Sequence, residues 1–92
     1  MKVQQNNNGS TSGFYIENEN GIIATLSYKM NEAGCMVIEH TEVLPEGNGK
    51  GLGKQLVSAA VEFARQHAIK IVPVCPFAKK IIEKIPEYQD VL

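Results

Sequence analysis

The spacing of apolar positions changes period near the middle of the chain. Phe14 and Ile16 alternate with Tyr15 and Glu17, which predicts a strand with one buried face. Asn20-Gly21 follows, two residues that tolerate positive φ and mark a hairpin turn. The next strand alternates Ile22, Ala24, Leu26 and Tyr28 against Ile23, Thr25 and Ser27. Asn31-Glu32-Ala33-Gly34 predicts a second turn, and residues 35–43 a third strand. The first half therefore reads as an antiparallel meander. Residues 4–12 are rich in Gln, Asn, Gly, Ser and Thr. They predict a poorly ordered arm or long loop, with residues 3–6 able to add a short edge strand.

After Pro45 the period becomes helical. Leu52, Leu56, Ala59, Ala60 and Phe63 fall on one face, with Lys54, Ser58, Glu62 and Arg65 opposite. Val57, Val61 and Ala64 widen the apolar arc, so a helix over residues 50–67 is expected to pack closely on the sheet. Residues 69–74 form a short apolar run suited to a buried strand, in which Pro73 limits hydrogen bonding. Pro76 suits the first turn of a last helix, which runs to about Lys84 and stops before Pro86. The order β-β-β-α-β-α predicts one α+β domain over residues 1–92, with the last strand parallel to the third.

Length and charge narrow the function. At 92 residues there is room for one core. A net charge of -1 argues against a general nucleic-acid binder, which needs surplus Lys and Arg to neutralise phosphates. No run approaches the roughly 20 apolar residues of a membrane helix, and the N-terminus lacks the apolar stretch of a signal peptide, so the reading is cytoplasmic. Cys35 and Cys75 are too few for a disulfide framework and are not spaced as metal ligands. No metal is expected.

The informative segment is Pro45-Glu46-Gly47-Asn48-Gly49-Lys50-Gly51-Leu52-Gly53-Lys54, between a strand and a helix. Glycine inside a helix costs about 1 kcal/mol, and its common use at such a junction is close approach of backbone to a ligand. No Ser, Thr or Asp stands immediately before Lys50 to cap the helix, which leaves the free N–H groups for an anion. A nucleotide-binding P-loop ending at Gly53-Lys54 would need glycine at Asn48 and Ser or Thr at Gln55. A dinucleotide fingerprint would need glycine at Leu52 or at Lys54. Neither motif is present.

Asn48-Gly49-Lys50-Gly51-Leu52-Gly53 resembles the coenzyme A pyrophosphate loop of the GNAT acetyltransferase superfamily, whose signature is Arg/Gln-x-x-Gly-x-Gly/Ala. His40-Thr41-Glu42-Val43-Leu44-Pro45, Val72-Pro73-Val74-Cys75-Pro76-Phe77 and Pro86-Glu87-Tyr88 are similar to blocks of a small GNAT subfamily with characteristic His and Cys positions. The resemblance covers residues 36–92. It implies a minimal GNAT fold with splayed strands, acetyl-CoA as co-substrate and an amine as acceptor, small molecule or protein. It also implies that the amides of residues 49–53 bind pyrophosphate, with Asn48 at the position of the usual Arg or Gln. Lys50 and Lys54, one helical turn apart, are placed to flank the phosphates, with ordinary solvated lysines as the other reading. Pantetheine would then lie along residues 39–43, next to Glu42 and Val43. Two positions depart from the pattern: Asn48 replaces the usual Arg or Gln, and Ile85 stands where relatives often carry His. The chain also lacks the helices that usually wall the acceptor pocket.

Two residues are candidates for chemistry. His40 belongs to the residue type best suited to general-base work near neutral pH. Strand alternation places it with Met36, Ile38 and Glu42, where a His holding a backbone carbonyl is the other reading. Cys75 precedes a helix opened by Pro76, where a thiol is activated and suits a covalent acetyl carrier. A small buried hydrophobe is the competing reading there. Whether the acetyl group passes directly or through Cys75 stays open at this level.

Overall fold

The computed structural model describes residues 3–8, 11–47, 49 and 51–92. Five strands form one sheet in sequence order: β1 (Gln4–Asn8), β2 (Thr11–Asn18), β3 (Gly21–Met30), β4 (Met36–Val43) and β5 (Ile71–Pro73). β1 to β4 are antiparallel neighbours, and β5 runs parallel to β4. Between them lies helix α1 (Leu52–Gln66), and after β5 comes α2 (Pro76–Lys84). Short 3₁₀ turns occupy Pro45–Gly47 and Pro86–Val91. The expected α+β class and the parallel last pair are observed. The polar stretch contributes β1, which extends two residues past the short edge strand read at 3–6, and the helix starts at Leu52, two residues later than the expected range.

The core follows the patterns. Leu52, Leu56, Val57, Ala60, Val61 and Ala64 of α1 are buried with Ala78 and Ile82 of α2. Against them lie Phe14, Ile16, Leu26, Tyr28, Met36 and Ile38 of the sheet, in the same cluster. At Gly13 of β2 a Cβ would collide with the backbone carbonyl oxygen of Leu26 on β3, so this crossing needs glycine. Among the described residues no helix is long and apolar enough to cross a membrane.

Two bulges interrupt the alternation. Between β2 and β3 the register passes from Ile16↔Ala24 to Glu17↔Ile22, leaving Ile23 as an extra residue. Between β3 and β4 it passes from Tyr28↔Ile38 to Ser27↔His40, leaving Glu39 extra. An extra residue moves the side chains beyond it to the other face of the sheet. Ile22, expected to share a face with Ala24, is accordingly 49% exposed, while Ile23 and Ala24 are both buried. On β4, Met36 and Ile38 face the helices. Beyond Glu39 the helix face belongs to Thr41 and Val43, opposite buried Leu26 and Ala24.

The C-terminal turn is clasped to α1 by Arg65. Its Nε and Nη2 donate to the two carboxylate oxygens of Asp90 at 3.0 and 2.8 Å, and Nη2 also donates to the Glu87 carbonyl. The bonds from Arg65 hold the Asp90 carboxyl below its ordinary value of 3.8, against partial desolvation. A depressed carboxyl stabilises the fold above its unfolded pKa, and that contribution disappears as pH falls through the folded value. Asp90→Asn is therefore expected to melt below the parent at pH 7, with the gap closing below about pH 4. Thermal melts across that range check it. Because the pair is exposed, added salt should also narrow the gap.

Candidate functional site

The parallel ladder between β4 and β5 ends abruptly. Its last registered pair is Ile38↔Pro73, and the N–H groups of both Val74 and Cys75 donate to the Ile38 carbonyl at 3.1 and 3.0 Å. Past that point the chain turns into α2, and no β5 residue is in register with residues 39–43 of β4. The two strands therefore part. Leu44 N–H donates back to Ile23 of β3, so by alternation Val43 and Thr41 turn their backbone groups into the gap.

The glycine turn closes one end of this gap. Gly49 and Gly51 adopt φ of 80° and 69°, in the left-handed region that favours glycine. Gly51 is the N-cap of α1, and the first helical bond runs from Gln55 N–H to its carbonyl. The N–H groups of Leu52, Gly53 and Lys54 thus have no acceptor inside the helix. Among the described residues no side-chain cap bond is made at this N-cap, and no acidic residue occupies the first turn. A pocket of about 270 Å3 opens over them, lined by Val43, Gly51, Leu52, Gly53, Lys54 and Phe77. Donors with the positive end of the helix dipole suit an anionic group.

The other end of the gap holds Cys75, buried at 7% exposure and N-cap of α2. Its Sγ lies 3.6 Å from Thr41 Oγ1. Burial is the largest influence on the thiol and pushes its pKa up. The Ala78 N–H, the Thr41 hydroxyl, and the N–H groups of Phe77 and Thr41 together outweigh burial and leave it below 9.0. In a Cys35→Ser background, alkylation by iodoacetamide should therefore show a pH midpoint below that of an ordinary thiol. Thr41→Val, which removes a donor to the thiolate, should move the midpoint upward.

His40 lies elsewhere. The bulge at Glu39 turns its side chain onto the exposed face beside Ser27, opposite the helix face where Thr41 meets Cys75. His40 and Cys75 are thus not brought together. Glu42 shares the outer face and lines a separate hollow with Ile22, Thr25 and Leu44. Val43, Gly49, Gly51, Leu52, Gly53 and Lys54 converge on the pocket, whereas Asn48 and Lys50 lie outside the described residues. Sequence reasoning missed Thr41, because strict alternation assigned it to the wrong face. It also missed Phe77 as a pocket wall; the only hint was an aromatic directly after Pro76. Tyr88 is half-buried and packs under the Arg65 guanidinium, 5.9 Å from its ring centre.

Comparison with known proteins agrees with this geometry. The family described as GCN5-related N-acetyl-transferase matches residues 13–91. A GCN5-like protein from Staphylococcus aureus, solved by NMR, is 38% identical over 96% of this chain and 85% of its own, with a TM-score of 0.75. The ribosomal-protein-alanine N-acetyltransferase of Brucella melitensis biovar Abortus 2308 shares the fold at 18% identity, over 85% of this chain and 62% of its own, with a TM-score of 0.65. A Clostridium acetobutylicum protein solved with acetyl-CoA shares it at 20% identity, over 82% of this chain and 56% of its own, with a TM-score of 0.62. This chain therefore spans about six tenths of the length of the latter two. A search of curated proteins gives no match. A parallel pair that splays beside a glycine-started helix, together with a family match over residues 13–91, places the chain in the GCN5-related N-acetyltransferase family.

Proposed function

We propose that the chain is an N-acetyltransferase that takes an acetyl group from acetyl-CoA and passes it to an amine. The observation that carries the reading is the set of N–H groups at Leu52, Gly53 and Lys54 that have no acceptor inside the helix and lie at the pocket by the mouth of the β4–β5 gap. In this reading they hold the pyrophosphate. The pantetheine arm then runs into the gap along Thr41 and Val43, where the Thr41 carbonyl and the Val43 backbone groups turn toward its amides. This route delivers the thioester toward Cys75.

Two transfers fit that arrangement. In the direct one, the neutral amine attacks the thioester carbonyl, the C–N bond forms, and the C–S bond breaks with the coenzyme leaving as thiolate. In the covalent one, the Cys75 thiolate makes that attack first and releases the coenzyme. The amine then attacks that acetyl thioester, the C–S bond breaks with Cys75 leaving as thiolate, and in either route the proton from the attacking nitrogen is given up to solvent. His40 reaches neither sulfur from the opposite face, so a Cys–His pair has no part in either. That placement also favours a second reading, a coenzyme A binding module without efficient catalysis.

Thermal melts with acetyl-CoA, ATP and NAD separate binding from its absence. A ligand at about a hundred times its dissociation constant stabilises by about 2.7 kcal/mol, which for a domain of this size is a rise of roughly 10 °C or more. Acetyl-CoA alone should give it. Intact mass after incubation then tests the route. An acetyl adduct that disappears in Cys75→Ala supports the covalent path. Product amine formed by that variant supports direct transfer. Stabilisation without any acetylated product leaves the binding module.

A further inference from the structure

The first turn of α2 carries a large aromatic side chain left 45% exposed, Phe77. Its ring is seated on Gly53 in the first turn of α1, so closely that a Cβ built there would lie 2.5 Å from Cζ of Phe77. Each feature is unfavourable for the free chain. A half-exposed Phe forgoes part of the stabilisation that burial gives, and glycine within a helix costs about 1 kcal/mol relative to alanine. Together they bring an apolar surface to the rim of the pocket at the α1 N-terminus. The same residue turns its N–H toward the Cys75 sulfur. Phe77 thus stands between the anion-binding end and the thiol end of the gap.

We propose that Phe77 is a specificity-determining residue of this site: its ring, held in place by Gly53, is the apolar wall on which the arm between pyrophosphate and thioester packs. The inference rests on the acyl-CoA reading above. The ring has no hydrogen-bonding group, so it contributes only to the part of the ligand that offers methylenes. It therefore favours the whole coenzyme over the phosphorylated ADP fragment that lacks the pantetheine arm.

The test is a calorimetric titration of the parent, Phe77→Ala and Phe77→Leu with coenzyme A and with that fragment. Melts confirm that each variant folds, as the exposure of Phe77 leads one to expect. Phe77→Ala should weaken coenzyme A about tenfold, in line with loss of part of one aromatic contact. It should leave the fragment within about twofold, and Phe77→Leu should recover most of the loss. Gly53→Ala displaces the ring, so it should weaken coenzyme A in the parent and add nothing in a Phe77→Ala background. Equal weakening of coenzyme and fragment, or no change for either, overturns the role of Phe77 and leaves the acyl-CoA reading standing. A parent chain that binds neither ligand overturns both.

Discussion

Gly13→Ala is expected to remove a large share of the stability of the fold. The new methyl group would meet the Leu26 carbonyl, which is backbone, so no rotamer change on β3 can relieve the collision. The sheet must open at the pairing of Gly13 with Ser27, next to buried Phe14 and Leu26. Overpacking of this kind costs about 3 kcal/mol. Domains of ordinary stability hold only about 5–15 kcal/mol in total, and a short chain sits at the low end. A melting temperature lower by roughly 15 °C is the corresponding reading. Gly34→Ala supplies the contrast. Nothing lies within 4 Å of a Cβ there, so only the positive φ of 81° opposes it. Its cost should be about 1 kcal/mol. A Gly13→Ala protein as stable as Gly34→Ala would mean that β2 and β3 do not approach as described.

Gly51→Val should have the second large effect, on the ligand more than on the fold. The position is open, with no atom within 4 Å of a built Cβ, so crowding is not the issue. The difficulty is φ of 69°, which a β-branched residue avoids at a cost of roughly 1–2 kcal/mol. The chain escapes by rotating the N-cap, which redirects the N–H groups of Leu52 and Gly53. Stability should fall modestly while affinity for acetyl-CoA drops tenfold or more. Gly51→Asn should keep most of the affinity, because Asn tolerates the left-handed region. Equal affinity in Gly51→Val and the parent would separate the turn from ligand binding.

Much of this architecture could be read from the residues. The apolar arc from Leu52 to Ala64 gives α1 and its buried face, and Pro76 and Pro86 bracket α2. The hairpin signal at Asn20-Gly21 is real but displaced by one residue. Glu19 and Asn20 form the turn, and Gly21 opens β3 at φ of 119°. Likewise α1 begins late because Gly51, counted in the helix by its pattern, is itself the left-handed cap.

What the pattern hid were the two bulges. Ile23 and Glu39 carry no signature residue, since a bulge is fixed by the pairing of two distant strands and not by local propensity. Their consequences decide the site. Without Glu39 as an extra residue, His40 would face the helices and Thr41 the solvent. With it, Thr41 meets the Cys75 thiol and His40 is turned away. The β4–β5 splay was available only through the family resemblance, because β5 has three residues and one of them is Pro73. Strand β1 was legible only as a short edge strand at residues 3–6. Its Gln and Asn side chains lack strand propensity, and it is held by side-chain bonds such as Tyr15 Oη to Gln4 Oε1 at 3.2 Å, as well as by pairing with β2.

The central claim is that the amides of the glycine-started helix grip the coenzyme phosphates. The most direct measurement is a titration of the 15N-labelled chain with coenzyme A, followed amide by amide. The largest shifts are expected at Gly51, Leu52, Gly53 and Lys54, with a second group at Thr41 and Val43 along the gap. Coenzyme A that binds but moves chiefly the outer face, around Ile22, Thr25 and Glu42, would contradict the assignment of the site. A spectrum unchanged at saturating coenzyme A would contradict the function itself.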